Sequence, residues 1–199
     1  AFQPLFFDLS FRSYAEIFTA LLIVLMILFY KKEMYFLCGL ACGYIFTVRQ
    51  EIALIGIALA IIFFMRKNYL AIVAIGVFPF LFNLFGYIHT GDMLFVISEM
   101  SSLGAMDFGG ANRGFFHYFK VYIFIIGPVC LTLFLLGYFG FLSDTKKIKE
   151  YLLKYDLVYI VFTVTFMVQV MLMVKGTNPG TWRYLLHISP LAAFFATVG

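Results

Sequence analysis

Gly43-Tyr-Ile-Phe-Thr-Val-Arg-Gln-Glu-Ile-Ala-Leu54 separates a membrane bundle from a water-soluble fold. Two ions, Arg49 and Glu51, stand between two apolar runs, Met34 to Val48 and Ile52 to Met65. A water-soluble core does not flank a charged pair with such runs on both sides. A tight hairpin between two membrane helices does, with the Arg–Glu pair at the turn. A charge at the centre of a membrane helix costs roughly 2.5–3.5 kcal/mol, and less at the bilayer edge. Two readings follow. The pair is a plain polar turn, or it is a site for anionic headgroups.

Composition supports the membrane reading. Of 199 residues, 64% are hydrophobic and only 12% charged. Soluble domains carry about 25% charged and about 45–50% apolar residues. The mean hydropathy is +1.01. Phe occurs 27 times and Tyr 13 times, which suits aromatic belts at helix ends. The net charge of +4 fits lysines facing a cytoplasmic surface rather than nucleic-acid binding. Cys38, Cys42 and Cys130 all lie in apolar runs. They read as small buried hydrophobes, since no His or carboxylate stands beside them to complete a metal site.

Outward from the hairpin, the runs predict an all-α, polytopic transmembrane bundle of about seven spans in one domain, 1–199. The spans are Ser13 to Tyr30, Met34 to Val48, Ile52 to Met65, Tyr69 to Ile88, Phe119 to Leu142, Leu157 to Val174 and Tyr184 to Val198. Pro79 interrupts the fourth, and Gly127-Pro128 marks a bend in the fifth. Gly39 and Gly43, four apart, share a helix face and admit a close neighbour. Several runs are shorter than the ~20 residues that cross ~30 Å, so flanking polar residues must extend them or the helices are broken. An outer loop, 89–118, and a basic connector, 143–156, complete the plan. The chain begins at Ala1 with no basic and apolar leader and ends after an apolar run, so the expectation is a fragment.

Placing loops on alternating sides separates the cations. Lys31, Lys32, Arg66, Lys67, Lys146, Lys147, Lys149 and Lys154 fall on one side, which by the excess of cations in short loops is cytoplasmic. Arg12, Arg49, Arg113, Lys120, Lys175 and Arg183 fall on the other. The outer set is mostly arginine, whose planar fork suits phosphate and carboxylate. The outer face also collects Glu16, Glu51, His89, Asp92, Glu99, Asp107, His117 and His187. Ordinary loop solvation is one account of this face. A site for an amphipathic anion, a lipid-linked phosphate above all, is the other. No Cys/His metal spacing, phosphate-binding glycine loop, dinucleotide fingerprint or nucleophile elbow is present.

Four pieces carry a resemblance: Ser13-Tyr-Ala-Glu16, Thr47-Val-Arg-Gln-Glu51, Thr90-Gly-Asp92 with the later Gly127-Pro128, and Arg183-Tyr-Leu-Leu-His-Ile-Ser-Pro190. Their order resembles the integral-membrane glycosyltransferases of the GT-C class, nearest the mannosyltransferase-like members that use polyprenyl-phosphate sugars. Gln50 stands where that family commonly has proline, and Met93-Leu94 follows Asp92 where it has Pro-Leu. The resemblance implies transfer of a sugar from a polyprenyl-phosphate donor to a glycan, lipid or protein acceptor on the extracytoplasmic face of an inner or endoplasmic-reticulum membrane. It implies a catalytic base upstream of the residues present. It leaves a divalent metal open, with no cofactor or metal ligand identified and no nucleic-acid partner. Arg49 and Arg183 are then the phosphate contacts. Glu16 and Glu51 orient those arginines or touch sugar hydroxyls, and Asp92 and His89 line the acceptor entrance. A transporter or flippase for lipid-linked or anionic solutes is the alternative, and a non-catalytic scaffold subunit a third reading.

Overall fold

The computed structural model describes residues 15–105, 113–140 and 148–198, with side chains described for 15–102, 113–140 and 156–197. Every regular element among them is helical. In chain order these are α1 (Ala15–Lys31), α2 (Tyr35–Val48), a 3₁₀ turn (Gln50–Ile52), α3 (Ala53–Met65), α4 (Tyr69–Thr90) and α5 (Phe95–Ala105). Then follow α6 (His117–Ile126), α7 (Pro128–Tyr138), α8 (Ile148–Val174), a 3₁₀ stretch (Trp182–Ile188) and α9 (Ser189–Val198). Ser13, Tyr14, Arg12, Asp107 and the connector residues 143–147 lie outside the described residues.

Of the seven expected spans, the described residues show two or three by length and apolar composition. Among the described residues, two helices are long and apolar enough to cross a membrane: α4, with 22 residues, and the Asp156–Val174 part of α8, with 19. A third crossing exists if α6 and α7 count as one broken span. That pair is bent by 114° at Gly127, so 119–142 is not one straight helix. Gly127 sits at φ 80° and ψ 156°, a region essentially reserved for glycine where a Cβ costs about 1–3 kcal/mol, and Pro128 then opens the next helix at its first position. The last run is likewise divided, with 3₁₀ geometry over Trp182–Ile188 before ten α-helical residues. Helices α2 and α3 have 14 and 13 residues. At ~1.5 Å per residue they reach about 20 Å, short of a ~30 Å hydrocarbon layer.

Packing explains the glycines. Helix α2 lies along α4 and also meets α1. A methyl group built on Gly39 would collide with the carbonyl of Ala71, and one on Gly43 with the carbonyl of Ile75. The two backbones touch because those side chains are missing, the small-residue packing that membrane helices favour. Cys38 and Cys42 are buried in the core as small apolar groups. The remaining core joins Ile23 and Met26 of α1, Ile45 of α2, Leu59 and Phe63 of α3, and Leu157 and Val161 of α8. Phe195 of α9 closes it against an aromatic group of Phe134, Tyr138, Tyr159 and Phe162.

Polar side chains collect at two ends of this bundle. At one, Asp156 accepts a hydrogen bond from Tyr30 Oη at 2.9 Å and stands 3.4 Å from Lys31 and 3.9 Å from Arg66. Arg66 also donates to Tyr35 Oη at 2.7 Å and lies over the Tyr30 and Tyr35 rings. At the other end is Glu16, in the first turn of α1. Fifteen residues of helix separate Glu16 from Lys31, about 22 Å at ~1.5 Å per residue. The cations that the sequence assigns to opposite sides, Lys31 and Arg66 against Arg49, therefore stand at opposite ends of the same helices.

Candidate functional site

The second polar end is built around a break in the chain. Arg49 follows α2 with extended backbone, φ −144° and ψ 95°, and its N–H still caps the helix at the carbonyl of Ile45, 2.8 Å away. The break stops the helix one residue before the 3₁₀ turn that carries Glu51. The guanidinium is then shared between two carboxylates. Nη2 lies 2.5 Å from Glu16 Oε1, and Nη1 lies 2.6 Å from Glu51 Oε1. The side chains of Arg49 and Glu16 are only 10% and 6% exposed, and that of Glu51 20%. This is an ion cluster largely withdrawn from water, where each charge depends on the others.

A hydrogen-bonded chain runs on from Glu51. Its Oε1 accepts from Gln169 Nε2 at 3.3 Å, and Gln169 Oε1 accepts from Asn178 Nδ2 at 2.8 Å. Asn178 Oδ1 accepts from the Gly180 N–H at 2.8 Å and from Tyr118 Oη at 3.0 Å. The Gly180 carbonyl in turn accepts from Arg113 Nη1 at 3.2 Å and from His117 Nε2 at 2.9 Å. Nε2 of His117 also lies 3.3 Å from Arg113 Nη1, so the imidazole sits between that guanidinium and the carbonyl. Gly180 is at φ 70°, and a side chain there would strike the Arg113 chain. Residues from α1, the Arg49 break, α6, α8 and the loop after α8 are thus tied into one network.

Tyr184 links this network to the second candidate arginine. The Arg49 guanidinium lies 5.3 Å from the centre of its ring and the Arg183 guanidinium 5.2 Å. Two arginines share one aromatic ring, an arrangement that desolvated guanidinium tolerates and ammonium does not reproduce. Nearby, His187 is fully buried. Arg49 Nε, Thr181 Oγ1 and both ring nitrogens of His187 are buried without a hydrogen-bond partner among the described residues. Buried polar atoms in native proteins are nearly always paired, so this end of the bundle carries unused hydrogen-bonding capacity.

Four of the six residues singled out from the sequence come together here: Glu16, Arg49 and Glu51 by direct contact, and Arg183 through Tyr184. Asp92 and His89 do not. Asp92 starts the turn into α5, where its Oδ1 accepts from the Leu94 N–H at 2.9 Å. Hydrogen bonds from Ser98 and Leu94 hold its carboxyl below the ordinary value. His89 is exposed near the C-terminal end of α4. Gln169, Asn178, Tyr118 and Tyr184 are the participants that the sequence reading passes over. The one available signal was Gln169, an amide within an apolar run. Among the described residues, no group of three or more His, Cys, Asp or Glu side chains could hold a metal ion.

Compared with known protein families, with curated proteins and with solved structures, the chain matches none.

Proposed function

We propose that this end of the bundle binds an anionic, lipid-linked substrate, and that the protein is a membrane glycosyltransferase drawing a sugar from a polyprenyl-phosphate donor. The observation that carries the reading is the Glu16–Arg49–Glu51 cluster, three ionised side chains largely buried in a chain poor in charge. Ionisable groups placed in apolar surroundings are costly, and where they persist they mark substrate or ion paths. In sugar transfer from a lipid phosphate, negative charge grows on the departing phosphate and needs preorganised cations. Arg49 is already committed to two carboxylates, so its part is to position them and the Tyr184 ring. Arg183, on the other contact of that ring, is the phosphate-facing candidate. Glu51, the more exposed carboxylate, is the candidate for sugar hydroxyls.

The transporter reading rests on a different observation, the 114° break between α6 and α7. Broken helices whose free ends meet a solute are common in secondary transporters. One experiment separates the two. The full-length protein in membranes is assayed for sugar transfer from a panel of polyprenyl-phosphate sugars, as wild type, Arg183→Gln and Glu51→Gln. The expected result is turnover by wild type and a loss of about 100-fold in each variant at equal expression, the scale of losing one charge-stabilising group. Unchanged turnover in both variants would remove these residues from the site. Absence of transfer from every donor, with uptake of a lipid phosphate into vesicles, would establish the transporter instead.

A further inference from the structure

Away from the ion cluster, the start of α6 presents a second feature. Phe115, Phe116 and Phe119 are 47%, 64% and 43% exposed, and their rings contact one another with centres 5.3 to 6.0 Å apart. Three contiguous exposed phenylalanines form a patch that calls for an apolar partner. Cations flank them. Arg113 and Lys120 are both exposed. Among the described residues Arg113 contacts only His117 and the Gly180 carbonyl, and neither is anionic. Lys120 makes no side-chain hydrogen bond or ion pair among them. The segment Arg113-Gly-Phe-Phe-His-Tyr-Phe-Lys120 therefore offers positive charge and aromatic surface together, with no carboxylate paired to it among the described residues.

Phe119 also belongs to a cavity. Between α6, α7 and α8 lies an opening of about 440 Å³, lined by Phe119, Tyr122, Leu131, Phe134, Phe166 and other apolar groups. The bend at Gly127 creates it by turning α7 away from the line of α6. Its volume falls in the ~300–1,000 Å³ range of small-molecule sites. Tyr122 is 3% exposed, and its buried hydroxyl has no hydrogen-bond partner among the described residues. One ring, Phe119, is thus shared by a cationic aromatic patch and an apolar pocket, the layout that a molecule with an anionic head and a hydrocarbon tail requires.

We propose that Arg113, Lys120 and the Phe115–Phe116–Phe119 patch bind one anionic phospholipid of the surrounding bilayer, with an acyl chain in the cavity between α6, α7 and α8. The guanidinium and ammonium take the head-group phosphate, and the rings sit at the head-group level, where aromatic side chains concentrate. The complementary charge selects an anionic over a zwitterionic lipid. The same Arg113 and His117 hold the Gly180 carbonyl, so the bound lipid steadies the loop that leads to Thr181 and Arg183. The site uses other side chains than the Glu16–Arg49–Glu51 cluster, to which it connects through Gly180, Asn178 and Gln169, and it stands whether or not that cluster performs sugar transfer.

Native mass spectrometry of the full-length protein in detergent, titrated with phosphatidylglycerol or phosphatidylcholine, tests this. Wild type should hold phosphatidylglycerol on the order of 30-fold more tightly, since each of the two basic residues near an anionic head adds roughly 5-fold. The double variant Arg113→Gln/Lys120→Gln should lose that preference. Lys120→Gln alone, at an exposed side chain with no hydrogen bond or ion pair among the described residues, should lose part of it with thermal unfolding unchanged. Leu131→Trp, which fills the cavity, should weaken both lipids. Equal binding of the two lipids by wild type, or a preference intact in the double variant, would overturn the proposal. Displacement of phosphatidylglycerol by an equal concentration of polyprenyl phosphate would also overturn it, by assigning the site to the donor lipid.

Discussion

At the scale of single residues, Arg49 is the side chain on which most depends. Its guanidinium satisfies Glu16 and Glu51 at once, at 2.5 and 2.6 Å, in surroundings that leave it 10% exposed. Removing it leaves two carboxylates facing each other with little water to screen them. Arg49→Ala should therefore destabilise the protein by about 3–5 kcal/mol, the range for deleting one partner of a buried ion pair. Arg49→Lys should not restore it, because one ammonium cannot present two parallel N–H groups to two acceptors or lie flat on Tyr184. Thermal unfolding in detergent measures both. A midpoint unchanged in Arg49→Ala would show that the cluster adds nothing to stability. The sequence had put Arg49 and Glu51 side by side and left open a simple turn or a site. Glu16 is 33 positions away, and nothing local says that its carboxylate reaches the same guanidinium.

At the scale of elements, the pairing of α2 with α4 rests on two missing side chains. Gly39→Val and Gly43→Val would each drive methyl groups into the backbone of α4, at Ala71 and Ile75. Backbone cannot yield as a flexible side chain can. Either variant should separate the two helices and cost more than the 1–3 kcal/mol typical of overpacking. Gly76→Ala, with nothing within 4 Å of the added carbon, is the matched control and should leave the unfolding midpoint unchanged or raise it. Equal midpoints for Gly39→Val and Gly76→Ala would show that the close approach does not matter. The spacing of these glycines was legible in the sequence; their partner was not, because small-residue spacing specifies closeness without naming the neighbour. The same holds for Gly127-Pro128. A bend was readable from the residue pair, but its 114° depends on α7 finding α9 to pack on.

At the scale of the whole molecule, the chain sorts its polar groups to two ends of an apolar bundle, with Tyr30, Lys31, Arg66 and Asp156 at one and the Arg49 network at the other. If α8 crosses the bilayer, residues beyond its two ends face opposite compartments. Lys32→Cys and Lys175→Cys should then react with a membrane-impermeant thiol reagent from opposite sides of sealed vesicles, with wild type as the background for its own three cysteines. Labelling of both from the same side would contradict the crossing. What the sequence alone determined was the helical, membrane-apolar character of the chain and the separation of Lys31 and Arg66 from Arg49. Apolar runs and the positions of charges between them are local properties, and they survive without any knowledge of packing. The tertiary structure alone decided how many runs stay long enough to cross, which of the scattered ions meet, and that Gln169 and Asn178 join them. Those outcomes depend on backbone breaks at Arg49 and Gly127 and on contacts between residues more than a hundred positions apart. No window along the chain contains them.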